Sequence, residues 1–204
     1  MTTRTPHLVI FDCDGVLVDS EVLSMAVTRA ALAEAGCPLT EAEGYEHLLG
    51  KSLSSMVQWL AEARNMQVND TLLARMRARL YEGFRTELRP VPGVSEAIAA
   101  LPLPVCVASS SAPERIGLSL GVTGLARHFG RNVFSATMVA RGKPAPDLFP
   151  HAARTMGVAP AHCVVVEDSP AGIRAAHAAG MRVIGFVGAS HAGPAHLRQA
   201  VAKC

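Results

Sequence analysis

The chain has 204 residues, half of them hydrophobic, so it can bury a core larger than one minimal domain needs. Aromatic residues make up only 4%, which leaves that core to Ala, Val and Leu. A formal charge of +2, with basic residues scattered rather than in runs, excludes a nucleic-acid binder held by bulk electrostatics.

Sixteen of the nineteen basic residues are Arg, so the positions of Lys51, Lys143 and Lys203 are informative. No apolar run reaches the ~20 residues of a membrane span, and the N-terminus does not read as a signal peptide. The expectation is a protein without a membrane partner. The five cysteines (Cys13, Cys37, Cys106, Cys163 and Cys204) contain no C-x-x-C pair and read as core thiols in a reducing, cytoplasmic setting.

In chain order, Leu8–Phe11 reads as a first strand, continuous in hydrophobicity and so buried on both faces, as in a parallel sheet. The next ninety residues or so read as helices throughout. Segment 20–35 closes at Gly36, and segments 53–64 and 71–88 follow. The Pro90-Val-Pro-Gly93 stretch punctuates the return. From there helix and strand alternate: helix 93–101, strand 105–108, helix 113–120, a strand at Val133–Phe134, helix 147–156, strand 163–166, helix 170–179 and strand 183–187. This alternation predicts an α/β fold with a parallel sheet and right-handed crossovers. Residues 1–16 and 90–204 form the core, and 17–89 form an inserted helical subdomain. The chain ends at Cys204 soon after Gly193-Pro194.

Ligands of open parallel sheets bind beyond the carboxyl ends of the strands. There the first strand delivers Asp12-Cys13-Asp14-Gly15, and the second Ser109-Ser110-Ser111. The third leads to Arg141-Gly142-Lys143-Pro144, and the fourth delivers Glu167-Asp168-Ser169. Two unit negative charges at ~4 Å repel by about 4 kcal/mol at an effective dielectric near 20. Four clustered carboxylates therefore require compensation. Lys143 offers one positive charge, and a divalent cation offers two more. Oxygen ligands suit Mg²⁺, while no His or Cys pair has zinc spacing. Asp12 and Asp14 point the same way if the strand pleat persists, and a turn at Gly15 separates their roles if it does not. Chemically, Asp12 is placed to attack phosphorus and Asp14 to serve as general acid and base.

The stretch Phe11-Asp-Cys-Asp-Gly-Val-Leu-Val-Asp-Ser-Glu21 resembles the first motif of the haloacid-dehalogenase-like hydrolase superfamily. Ser109, Lys143 and Glu167-Asp168 match its other three motifs in order. Gly142-Lys-Pro-Ala-Pro-Asp147 and Glu167-Asp-Ser-Pro-Ala-Gly172 resemble its β-phosphoglucomutase and sugar-phosphatase-like branch. The resemblance implies a Rossmann-like core with a small helical cap, and a Mg²⁺ ion held by Asp12, Asp168 and the Asp14 carbonyl with Glu167 assisting. It also implies that Ser109 binds the transferring phosphate and Lys143 bridges it to Asp12. Ser110, Ser111 and the cap residue Lys51 join Ser109 and Lys143 as candidate substrate contacts.

Simpler readings compete at several positions. Ser111-Ala-Pro-Glu114 has the form of a helix-start capping box, and Ser169-Pro170 that of an N-cap and first helical residue. Asp19 and Glu21 read as first-turn acids, with a hinge or substrate role as the alternative for Asp19. His47 and Trp59 read as packing residues, and His191 and His196 receive no chemistry. Asp14 argues against dehalogenases and phosphonate hydrolases of the same superfamily, which lack that second acid. A phosphomutase is the nearer rival. Ser24 and Ala112-Pro113 stand where the mutase branch places a histidine and Lys-Asn, which favours hydrolysis. A non-catalytic interaction module is the reading from another class. The expected substrate is a small phosphorylated metabolite, such as a sugar phosphate, a sugar-acid phosphate like 6-phosphogluconate, or phosphoglycolate. The expected state is a monomer or weak homodimer.

Overall fold

The computed structural model describes residues 5–48 and 53–191. Among them five strands form one parallel sheet: β1 (Leu8–Phe11), β2 (Val105–Ser109), β3 (Val133–Ser135), β4 (Cys163–Glu167) and β5 (Arg182–Gly185). The spatial order is β3-β2-β1-β4-β5. The chain divides into two compact units, Met1–Asp19 with Arg89–Cys204, and Ser20–Leu88.

The first unit holds the sheet. Leu8, Ile10, Cys106, Ala108, Cys163 and Val165 are fully buried, as the continuous apolar runs predict for strands covered on both faces. Helices α5 (Val94–Ala99), α6 (Pro113–Val122), α7 (Ala126–Phe129), α8 (Leu148–Thr155) and α9 (Pro170–Ala178) connect the strands. On one side of the sheet, Leu148, Phe149, Ala152 and Ala153 from α8 and Ala175 and Ala176 from α9 pack on these strand residues. Small alanines let the helices lie close to the sheet, and the few aromatics are not excluded from the core as composition suggested, since Phe11, Phe84, Phe129, Phe134 and Phe149 are all buried. At β1 the strand order reverses, since β2 and β3 lie to one side and β4 and β5 to the other. That reversal opens a crevice at the carboxyl ends of β1 and β4.

The second unit is helical: α1 (Glu21–Glu34), α2 (Glu41–His47), α3 (Leu53–Arg64) and α4 (Asp70–Glu87). Met25, Leu32, Leu39, Leu48, Met56, Leu60, Leu72 and Met76 form its core. Helix α2 begins at a reciprocal capping box, in which Thr40 accepts from the Glu43 amide and Glu43 accepts from the Thr40 amide. This helix is not among those expected from the sequence, although Thr40-Glu-Ala-Glu43 has the local form of a capping box.

Candidate active site

Asp12 stands one residue past β1, and its amide donates to the Val166 carbonyl at 3.0 Å. The sheet ladder thus runs past the end of β1 and sets Asp12 beside Glu167, because Phe11 pairs with Val166. Lys143 reaches in from the segment after β3. Its Nζ donates to Asp12 Oδ1 and Glu167 Oε2, each at 2.6 Å, and to the Ala108 carbonyl at 3.0 Å. All three of its donor directions are thereby used. The ammonium also lies 4.9 Å from the centre of the Phe149 ring. Burial pulls the Lys143 ammonium down, but Asp12 and Glu167 together outweigh it and hold the group above its ordinary value.

Asp12, Glu167 and Asp168 are all buried, and each offers an oxygen within 4.8 Å of the others. Burial first, then the charge of Glu167, holds Asp12 well above the usual carboxylate range, and Lys143 opposes this only in part. One ammonium among three buried carboxylates leaves the cluster short of positive charge. The donor set is all oxygen and buried, and it fits a hard divalent cation such as Mg²⁺.

Glu167 is fixed from both sides. Its Oε1 accepts from the Ser169 amide at 3.0 Å and from Ser169 Oγ at 2.7 Å, while Oε2 takes Lys143. Ser169 is the N-cap of α9, accepting from the Gly172 amide at 3.0 Å, as the Ser-Pro pattern predicts. A Cβ on Gly172 would overlap the Glu167 carboxyl, so the first turn of α9 accommodates this side chain only with glycine there.

Asp14 is set apart by a turn. Gly15 adopts φ 79°, and its amide donates to the Val18 carbonyl at 2.9 Å, which ends the pleat. The Asp14 carboxylate accepts from Ser111 Oγ at 2.7 Å and pairs with Arg115 Nη2 at 2.8 Å. Its side chain does not belong to the Asp12, Glu167 and Asp168 group. Of the two arrangements that the sequence left open, the turn is the one adopted.

Ser109 is buried at the end of β2, and its Oγ accepts from the Ser111 amide at 3.1 Å. Ser110 is exposed. Two readings require correction. Ser111 does not cap α6, because Ala112 occupies the N-cap without a side-chain bond and the Ser111 hydroxyl goes to Asp14. Asp19 is not a first-turn acid, because α1 starts at Glu21. The Asp19 carboxylate accepts instead from the Ser190 amide at 3.2 and 3.3 Å and from Ser190 Oγ at 2.8 Å. His47 and Trp59 stack at 4.2 Å within the helical unit, consistent with packing. Lys51 and His196 lie outside the described residues. Arg115 is a neighbour of the site that went unread in the sequence, although it lies one helical turn beyond Ser111. His191, which the sequence reading left without a role, lies with its Nε2 3.0 Å from Asp168 Oδ2, a contact with no local signal.

Against known proteins, the family model described as haloacid dehalogenase-like hydrolase matches residues 9–186. The 6-phosphogluconate phosphatase of Escherichia coli K12 is 31% identical over 187 residues, covering 91% of this chain and 85% of that one. The fructose-1-phosphate phosphatase of the same organism is 32% identical over 180 residues, covering 86% and 93%. A haloacid dehalogenase-like protein of unknown function from Agrobacterium tumefaciens superposes with a TM-score of 0.86 at 38% identity, covering 97% of this chain and 90% of that chain.

Proposed function

This chain belongs to the haloacid dehalogenase-like hydrolase family, and we propose that it is a Mg²⁺-dependent phosphatase that hydrolyses a sugar phosphate or sugar-acid phosphate through an aspartyl phosphate on Asp12. The observation that carries this reading is the Lys143 ammonium bonded at 2.6 Å to both Asp12 and Glu167, with Asp168 in the same carboxylate group. Similarity to phosphatases of 6-phosphogluconate and fructose 1-phosphate supports the substrate class.

The Asp12 carboxylate attacks phosphorus, a new P–O bond forms, and the ester P–O bond breaks. The departing alkoxide takes its proton from Asp14. Asp14 then removes a proton from water, whose oxygen attacks the same phosphorus. The bond to Asp12 breaks, releasing inorganic phosphate and restoring both aspartates. Ser111 and Arg115 hold the ionised Asp14 at the aspartyl-phosphate stage, after it has given up its proton and before it takes one from water, since their bonds suit a carboxylate acceptor. Ser109 and Ser110 would contact phosphoryl oxygens, and Lys143 would counter their charge. Asp12 and Asp168 would hold Mg²⁺, which supplies further positive charge to the phosphoryl oxygens when bound. Glu167 keeps Lys143 aimed at Asp12.

The test is a panel of phosphorylated metabolites assayed with Mg²⁺ and ranked by kcat/KM, beside the Asp12→Asn variant. We expect a sugar or sugar-acid phosphate to lead, chelation to abolish turnover, and Asp12→Asn to lower kcat by at least about 10⁴-fold with the fold intact. Acid-quenched wild-type enzyme should carry one phosphoryl group, mapped by mass spectrometry to Asp12. Turnover that survives in Asp12→Asn, or in excess chelator, overturns the proposal.

A further inference from the structure

Beyond β5 the chain returns to the carboxyl edge of the sheet, and two consecutive residues there make contacts that the reaction above does not use. Ser190 is exposed, and it is tied to Asp19 by three bonds to one carboxylate. The next residue, His191, is buried, with its side chain 2% exposed and its Nε2 3.0 Å from Asp168 Oδ2. Both meet the turn after β1: a Cβ on Gly15 would lie 2.8 Å from His191 Cε1 and would overlap Asp168 Oδ2. The left-handed glycine therefore leaves room for a carboxylate and an imidazole packed against the same turn. Burying an imidazole costs free energy unless its N–H groups are bonded, and here one is bonded to a carboxylate in the Asp12 group.

We propose that His191 is a positioning residue for the cation at Asp12 and Asp168, with the Asp19–Ser190 clasp holding it in place. The inference rests on the cation reading given above. The His191 N–H bonds Asp168 Oδ2 and restrains the carboxylate, so Asp168 stays in the group with Asp12 and Glu167 without a search over rotamers. Carboxylate ligands gain affinity from such outer bonds, and losing one typically weakens metal binding by 10–100-fold. Asp19 and Ser190 act one step further out: they fix the backbone from which the imidazole projects.

The test is calorimetric titration of Mg²⁺ into the chelator-treated full chain, for wild type, His191→Ala, His191→Gln and Asp19→Ala. The expected dissociation constant rises about 10–100-fold in His191→Ala. It returns most of the way in His191→Gln, whose amide N–H can stand where Nε2–H stood. In Asp19→Ala it rises by a smaller factor. A merely structural histidine would lower the melting temperature in chelator equally in both His191 variants and leave the Mg²⁺ constant unchanged. That result overturns the proposal. If His191→Ala fails to fold, His191→Gln and Asp19→Ala decide: a wild-type constant in Asp19→Ala overturns the clasp, and a raised one supports it. Wild-type protein that binds no Mg²⁺ removes the cation reading itself, a failure distinct from normal Mg²⁺ affinity in every variant.

Discussion

Replacing Lys143 by Met isolates the charge on which the site depends, because methionine keeps most of the side-chain volume and can still pack on Phe149. The ammonium lies 2.6 Å from both Asp12 and Glu167, and its side chain is 3% exposed. Unit charges at ~4 Å interact by about 4 kcal/mol at an effective dielectric near 20, and burying the ammonium offsets part of that. Removing one partner of a buried ion pair typically costs 3–5 kcal/mol, because the remaining charge is stranded. Here two carboxylates are stranded, facing each other. Urea unfolding in chelator should therefore show a loss of about 3–5 kcal/mol in Lys143→Met. Adding Glu167→Gln should recover about 1–3 kcal/mol, since one stranded charge is gone. Saturating Mg²⁺ should recover part of the loss in the single variant. With the proposed substrates kcat should fall by about 10²–10³-fold, the usual effect of deleting one preorganised charge. A loss under about 1 kcal/mol, together with near-normal kcat, would refute the assignment of Lys143 as the cluster's counter-charge.

Gly172→Ala should be far more damaging than a surface glycine substitution, because its Cβ meets the buried Glu167 carboxyl. We expect a stability loss of about 2–4 kcal/mol and weaker Mg²⁺ binding, read by urea unfolding and calorimetry, with Gly117→Ala on α6, where a Cβ meets nothing, as the control. Burial pushes the Cys106 thiol up from its ordinary value to about 12, so the folded chain keeps a proton that the unfolded chain releases nearer pH 9. Its contribution is fully present below about pH 9 and is lost as pH rises toward 12. Over pH 9–11 the wild type should lose about 1.4 kcal/mol per pH unit more than Cys106→Ala, by urea unfolding. Parallel pH profiles for the two proteins would contradict this.

Strands β1 and β4 were legible because burial on both faces makes them read as unbroken apolar runs, Leu8–Phe11 and Cys163–Val166. Lys143 stood out because lysine is scarce in this chain. Contacts within a few residues were also readable, and Ser169 caps α9 as its sequence implies. Misreadings fell where a distant partner displaced a local one. Glu114 had a local claim on Ser111, yet Asp14, 97 residues away, takes the hydroxyl. Asp19 had a local claim to a helix N-terminus, yet it binds Ser190, 171 residues away. Capping and dipole rules compare bonds within one turn. Only the sheet order brings the ends of β1, β2 and β5 together, and with them the groups that outcompete local partners.

That sheet order also explains why the acidic residues are tolerated where they stand. A nucleophilic Asp12 must be ionised, while burial, Glu167 and Asp168 all favour its neutral form. Lys143 opposes them from one side only, and Glu167 shares its ammonium. Under the proposed reading, ionising Asp12 is then coupled to bringing a second source of positive charge to the open side of the cluster. Asp12 and Asp168 would hold a cation that would supply it. A core assembled for stability alone would gain by replacing Asp168 with an apolar side chain, so the buried carboxylate group points to a role in function rather than in packing.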